Sequence, residues 1–156
     1  MRHLFRSAPA RLAAVGFTVF FGVSLVSRLL LLVMARHEVT WGLPLAGALA
    51  TGFWYDAAAA VFAALPWLLL GAVMPVRWLK SLAGTWLVAC LMTVFIAILI
   101  FITTAEWIFW DEFGARFNFI AVDYLTWTQE VWGNIRESYP IFWILAGIAA
   151  VAAILV

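Results

Sequence analysis

Polar residues fall along this chain in blocks, and between the blocks the apolar residues run on without the alternation that a water-facing strand or helix needs. Leu12 to Met34 reads LAAVGFTVFFGVSLVSRLLLLVM, broken only by Arg28, and two comparable runs extend from Gly52 to Met74 and from Leu82 to about Thr104. A helix rises about 1.5 Å per residue, so about 20 apolar residues cross the roughly 30 Å of hydrocarbon in a bilayer. The pattern predicts three transmembrane helices, at 12–34, 52–74 and 82–104, in an all-α, polytopic membrane domain. A fourth apolar segment, IFWILAGIAAVAAILV, follows Pro140. At helical rise it would reach only about 24 Å. We read residues 140–156 as an incomplete fourth transmembrane helix and expect the chain to be part of a longer polypeptide. A secretory signal is the competing reading of the first run. That run is longer than a signal's apolar core, and no small-residue cleavage site follows Arg36-His37-Glu38.

Composition agrees with the pattern: 67% of residues are hydrophobic, 11% are charged, and the mean hydropathy is +1.09, beyond what a water-facing globular domain carries. The net charge of +1 comes with no basic stripe to track phosphates, so nucleic acid is not an expected partner. Partners are expected among membrane lipids. The single cysteine, Cys90, lies within an apolar run, and the two histidines, His3 and His37, are far apart. Neither a disulfide framework nor a zinc site is available from them.

Arginine and lysine in short flanking segments set orientation. Residues 1–11 carry Arg2, Arg6 and Arg11 without an acid, and the link between the second and third runs carries Arg77 and Lys80 without an acid. Both are expected in the cytoplasm. The opposite face then receives residues 35–51 and the long segment 105–139. In that segment Glu106, Asp111, Glu112, Asp123, Glu130 and Glu137 outnumber Arg116 and Arg136.

Two charges fall inside the apolar runs. Arg28 lies six residues inside the outer end of the first, roughly 9 Å deep at helical rise, and Asp56 lies about as deep in the second. Matched depth predicts an Arg28–Asp56 ion pair, open to a lipid headgroup as a further partner; separate snorkelling of the two side chains to the interface is the plainer reading. Pro66 removes one helical hydrogen bond, freeing the Phe62 carbonyl, and predicts a kink in the second helix. Most of the ten tryptophans, among them Trp41, Trp54, Trp78, Trp107, Trp110 and Trp143, sit near predicted boundaries, where indole rings favour the headgroup level.

The segment RFNFIAVDYLTWTQEVWGNIRESYP, Arg116 to Pro140, differs from everything around it. At 100° per residue Phe117, Ile120, Tyr124, Trp127, Val131 and Ile135 share an apolar sector, opposite Asn118, Asp123, Thr126, Gln129, Glu130 and Arg136. Phe119 and Val122 break the pattern. The segment reads as one or two amphipathic helices in the outer interface, broken near Gly133, with Pro140 pre-setting the next helix.

The longer block EWIFWDEFGARFNFIAVDYLTWTQEVWGNIRESYP, Glu106 to Pro140, closely resembles the periplasmic segment of Gram-negative members of the lipoteichoic-acid-synthase-like, sulfatase-fold phosphotransferase family. Arg28 late in the first helix and GFWYDAAA, with Asp56, are lesser echoes of the same family. The resemblance implies a bacterial inner-membrane anchor, N-terminus in the cytoplasm, followed by a periplasmic catalytic domain. That domain would use a threonine nucleophile and a divalent metal, manganese or magnesium, to transfer phosphoglycerol or a related headgroup from a lipid. It lies outside these residues: Thr103, Thr104, Thr126 and Thr128 have no metal-ligand neighbourhood in the sequence, so this chain alone is expected to be inactive.

The role then expected of the chain is positioning of a lipid donor under its catalytic domain. Arg116 is the candidate contact for a lipid phosphate. Glu106, Asp111, Glu112, Asn118, Asp123 and Tyr124 are candidates for docking the external domain or shaping the donor site, and Arg28 and Asp56 join the list as intramembrane charges. The plainer reading of the outer group is a self-satisfied polar network capping the helices. Three rivals stand beside this expectation: a stand-alone scaffold or assembly subunit, the membrane domain of a phosphoethanolamine transferase or sulfatase, and a transporter module. The transporter is the weakest, because no inverted repeat or broken helix pair is evident.

Overall fold

The computed structural model describes residues 8–116, 133 and 135–156, and every regular element among them is helical. In chain order these are α1 (Ala8–Met34), α2 (Leu43–Val73), the single turn α3 (Val76–Leu79), α4 (Leu82–Phe113) and α5 (Ile141–Ile154). Three of them, α1, α2 and α4, are long and apolar enough to cross a membrane. The chain is thus an all-α domain of multi-pass membrane character.

Helix ends follow local chemistry more than the limits of the apolar runs. Helix α2 starts at Leu43 and not near Gly52, because residues 43–51 are mostly leucine and alanine, with Gly47 a weak helix former among them, once Gly42 (φ 154°) has turned the chain and Pro44 has entered the first turn. Ser81 caps α4: its Oγ accepts from the Gly84 amide at 3.2 Å while Thr85 donates its amide to the Ser81 carbonyl at 2.9 Å. At the far end α4 runs past Thr104, the expected limit, through Phe113. Thr104 does not interrupt it, since its hydroxyl donates back to the Ile100 carbonyl at 2.9 Å. Gly114, at φ 61°, then stops the helix in the left-handed conformation that glycine tolerates, its amide donating to the Trp110 carbonyl at 2.8 Å. Pro140 stands immediately before α5.

The residues form two units, Met1–Met92 and Thr93–Val156. In the first, α1 and α2 make an antiparallel hairpin. Pro9 faces Gly71, Gly16 faces Trp67, and Arg28 faces Gly52 and Asp56, so the partners ascend one helix as they descend the other. A Cβ added at Gly16 would overlap the Trp67 indole, and one at Gly71 would overlap the Pro9 backbone. Lipid tails are as apolar as leucine, so close backbone approach at small residues is what gives such helices a packing advantage. The buried positions of α2, Ala60, Ala64, Trp67 and Gly71, form one stripe that continues across Pro66. Phe21 and Phe53 add an edge-on ring contact at 4.9 Å.

Large apolar side chains elsewhere on the helices remain exposed, as at Phe62 (72%), Leu69 (61%) and Val73 (76%). A water-soluble monomer does not carry such a surface, whereas lipid covers it. In the second unit, Val94, Ala97, Ile98 and Phe101 of α4 and Leu145 and Ile148 of α5 line a shallow apolar cleft.

Candidate functional site

Apolar helices position three small polar groupings, and each was partly visible as a candidate in the sequence. In the α1–α2 hairpin, Arg28 donates from Nε to Asp56 Oδ2 and from Nη2 to Asp56 Oδ1, both at 2.9 Å. This fork-to-carboxylate geometry is the strongest form of side-chain ion pair. The two side chains are 18% and 17% exposed. Pairing, and not independent snorkelling, is therefore what the structure adopts.

The second grouping is at the end of α4. Glu106, expected in a loop, is on the helix and is buried. Gly114 ends the helix, and Arg116 then reaches back to donate from Nε to Glu106 Oε1 at 2.6 Å. Glu106 lies about two turns, or about 10 Å, before the helix end, so the pair folds the following chain onto α4. The burial is uneven: the Glu106 side chain is 11% exposed and that of Arg116 48%. Trp107, the next residue on the helix, buries its indole N–H without an acceptor among the described residues.

The third grouping joins the end of α4 to the start of α5. Tyr139 donates its hydroxyl to Glu112 Oε1 at 3.3 Å. Loss of solvation raises the Tyr139 pKa above its ordinary 10.0, and the charge of Glu112, its hydrogen bond and the charge of Asp111 push it the same way. Asp111 and Glu112 are both exposed on the last turn of α4. A carboxylate at a helix C-terminus meets the negative end of the helix dipole. A phenol that stays protonated is a partner suited to that place.

Of the nine residues singled out from the sequence, Arg28 and Asp56 are joined, Glu106 and Arg116 are joined, and Asp111 and Glu112 lie together beside Tyr139. Asn118, Asp123 and Tyr124 lie outside the described residues, as does most of the expected amphipathic segment. Sequence reasoning did not single out Tyr139 or Trp67, and took Gly52 only as part of the GFWYDAAA echo. Gly52 stands one turn before Asp56 in GFWYD, a spacing that signals a contact only once the facing residue is known.

No three side chains of the Asp, Glu, His or Cys type converge among the described residues to hold a metal ion. A divalent metal therefore has no fitted place among them, and no chemical step can be routed through one here. What these groupings can do is neutralise charge within or beside an apolar layer, offer a half-exposed guanidinium at the end of α4, and present two carboxylates on the last helical turn. Comparisons with protein-family models, curated proteins and solved structures give no match to this chain.

Proposed function

We propose that this chain is the membrane-anchoring and lipid-presenting part of a metal-dependent, sulfatase-fold transferase. It would sit in the bacterial inner membrane with its N-terminus in the cytoplasm and its acid-rich stretch in the periplasm. The donor would be a phospholipid, whose phosphoglycerol or related headgroup is transferred by a catalytic domain outside these 156 residues. The observation that carries this reading is the block Glu106 to Pro140, with its likeness to the periplasmic segment of that family.

The geometry at the end of α4 supports it. A lipid phosphate needs a cationic donor at headgroup depth, and the half-exposed Arg116 guanidinium supplies that chemistry. Glu106 holds Arg116 through Nε, which fixes the direction of a side chain that would otherwise sample many rotamers. In this reading Asp111 and Glu112 serve to dock the external domain. Phosphoethanolamine transfer or sulfate-ester hydrolysis would use the same anchor. The surplus of carboxylates between Glu106 and Glu137 also favours a second reading, a scaffold that recruits a soluble basic partner.

The test is turnover by the full-length gene product reconstituted in vesicles containing labelled phosphatidylglycerol. Expected are release of diacylglycerol that requires manganese or magnesium, and a fall of about tenfold or more in a folded Arg116→Ala variant. A reading frame with no external domain bearing a threonine and metal ligands would sink the transferase reading and leave the scaffold. Normal turnover of Arg116→Ala would remove the lipid-contact role while leaving the anchor role in place.

A further inference from the structure

Gly52 and Asp56 lie one turn apart on α2 and meet the same side chain. A Cβ added at Gly52 would overlap Nη1, Cζ and Nη2 of Arg28, so the guanidinium rests against bare helix backbone while Nε and Nη2 fork onto Asp56. The guanidinium is a rigid plane. A side chain at position 52 would occupy the space of that plane, so the guanidinium would have to shift from its place against α2 and the paired hydrogen bonds to Asp56 would be disturbed, although neither charge had been altered.

We infer that Gly52 and Asp56 form a guanidinium seat on α2, and that Arg28 in this seat fixes the register of α1 against α2 at that end of the hairpin. The facing end of α1 is VSRLLLLVM; apart from Arg28 and the buried Ser27, a slip of one turn there exchanges one aliphatic residue for another. Apolar packing alone discriminates weakly between such registers, because leucine contacts in lipid resemble one another. The seat accepts Arg28 in one register only; a slip leaves a guanidinium and a carboxylate unpaired within apolar runs. Ion pairs removed from water commonly contribute little net stability over apolar isosteres, and register is their best-attested role. At the other end the Trp67–Gly16 contact performs the corresponding task by shape.

Oxidative cross-linking in membranes tests this, with Cys90→Ala as background and Ser24→Cys on α1 combined in turn with single cysteines at positions 48–60 of α2, omitting 52 and 56. The unaltered seat should give one maximum. Gly52→Ala should lower that maximum about fivefold or more, or spread it over neighbouring turns, as expected for overpacking of about 1 kcal/mol. In an Arg28→Met/Asp56→Asn background the same Gly52→Ala change should have no further effect, because nothing is left to be unseated. If Gly52→Ala leaves the wild-type profile intact, or acts equally in both backgrounds, Gly52 is an ordinary packing glycine and the inference fails. Should Gly52→Ala alone not accumulate in the membrane, recovery of accumulation in the triple variant supports the seat, and failure to recover overturns it.

Discussion

Arg116 and Glu106 are joined at 2.6 Å, yet the carboxylate side chain is 11% exposed and the guanidinium 48%. The asymmetry makes the two halves of the pair unequal in consequence. Without Glu106, Arg116 can turn to water. Without Arg116, a buried carboxylate loses its cationic partner.

Glu106→Gln is therefore expected to destabilise by about 1 kcal/mol, the scale of a partly exposed pair. Arg116→Met is expected to destabilise by more than Glu106→Gln, because the largely buried Glu106 carboxylate then loses a charged partner. Thermal unfolding in detergent micelles gives the order. A larger loss for Glu106→Gln would mean that the pair is held from the arginine side.

Gly16→Leu should push the Trp67 indole out of its place and destabilise the hairpin by about 1–3 kcal/mol through overpacking. Trp67→Ala empties the same space and should lose about 3–5 kcal/mol. Combined, the two changes should cost less than their sum, because the leucine occupies part of the volume the indole vacates. Additive losses in micelle unfolding would show that the contact does not couple the helices.

Tyr139 supplies a pH dependence. Its folded pKa is raised, so the protonated phenol is the form the fold favours; the contribution is complete below the ordinary value of 10.0 and disappears as pH climbs through the raised value. In an ultraviolet titration, the phenol missing from Tyr139→Phe relative to the unaltered protein should ionise above 10.0. Glu112→Gln should bring it downward by removing a nearby negative charge and a hydrogen bond. Ionisation at or below the ordinary value would contradict the contact.

Gly114→Ala forces a Cβ into the left-handed region at φ 61° and should destabilise by about 1 kcal/mol. Since this turn returns Arg116 to Glu106, the variant should also weaken that pair. A double-mutant cycle between Gly114→Ala and Glu106→Gln then shows coupling. Gly114→Asn, which tolerates the same conformation better, should be milder. Equal behaviour of alanine and asparagine would mean that the turn relaxes into another geometry.

The helical class and the three membrane-scale segments were legible because unbroken apolar runs of this length leave a backbone no other way to satisfy its polar groups in lipid. The Arg28–Asp56 pair was also within reach, since two opposite charges at like depth in adjacent apolar runs have strong reason to meet. The helix limits were less so. Residues 43–51 and 105–113 are helical without being uniformly apolar, and helix continues until a glycine or a cap stops it, whatever the surrounding solvent.

The return of Arg116 to Glu106 was hidden in the sequence by a different cause. It depends on the φ of Gly114, and GAR is equally compatible with a chain that moves away from α4. Tyr139 was passed over for a similar reason: a tyrosine before a proline reads as an interfacial anchor until Glu112, far earlier in the chain, is found beside it.

By itself, then, the order of residues determined where the chain is helical and that its surface belongs in lipid, because both follow from local composition summed over about twenty positions. Only the tertiary structure decided which glycines face which large side chains, that Arg28, beyond its expected partner Asp56, lies against Gly52, and that Glu106 is buried and joined to Arg116. Those are contacts between elements, selected by shape and by charge neutralisation at short range, and one-dimensional spacing carries no record of them.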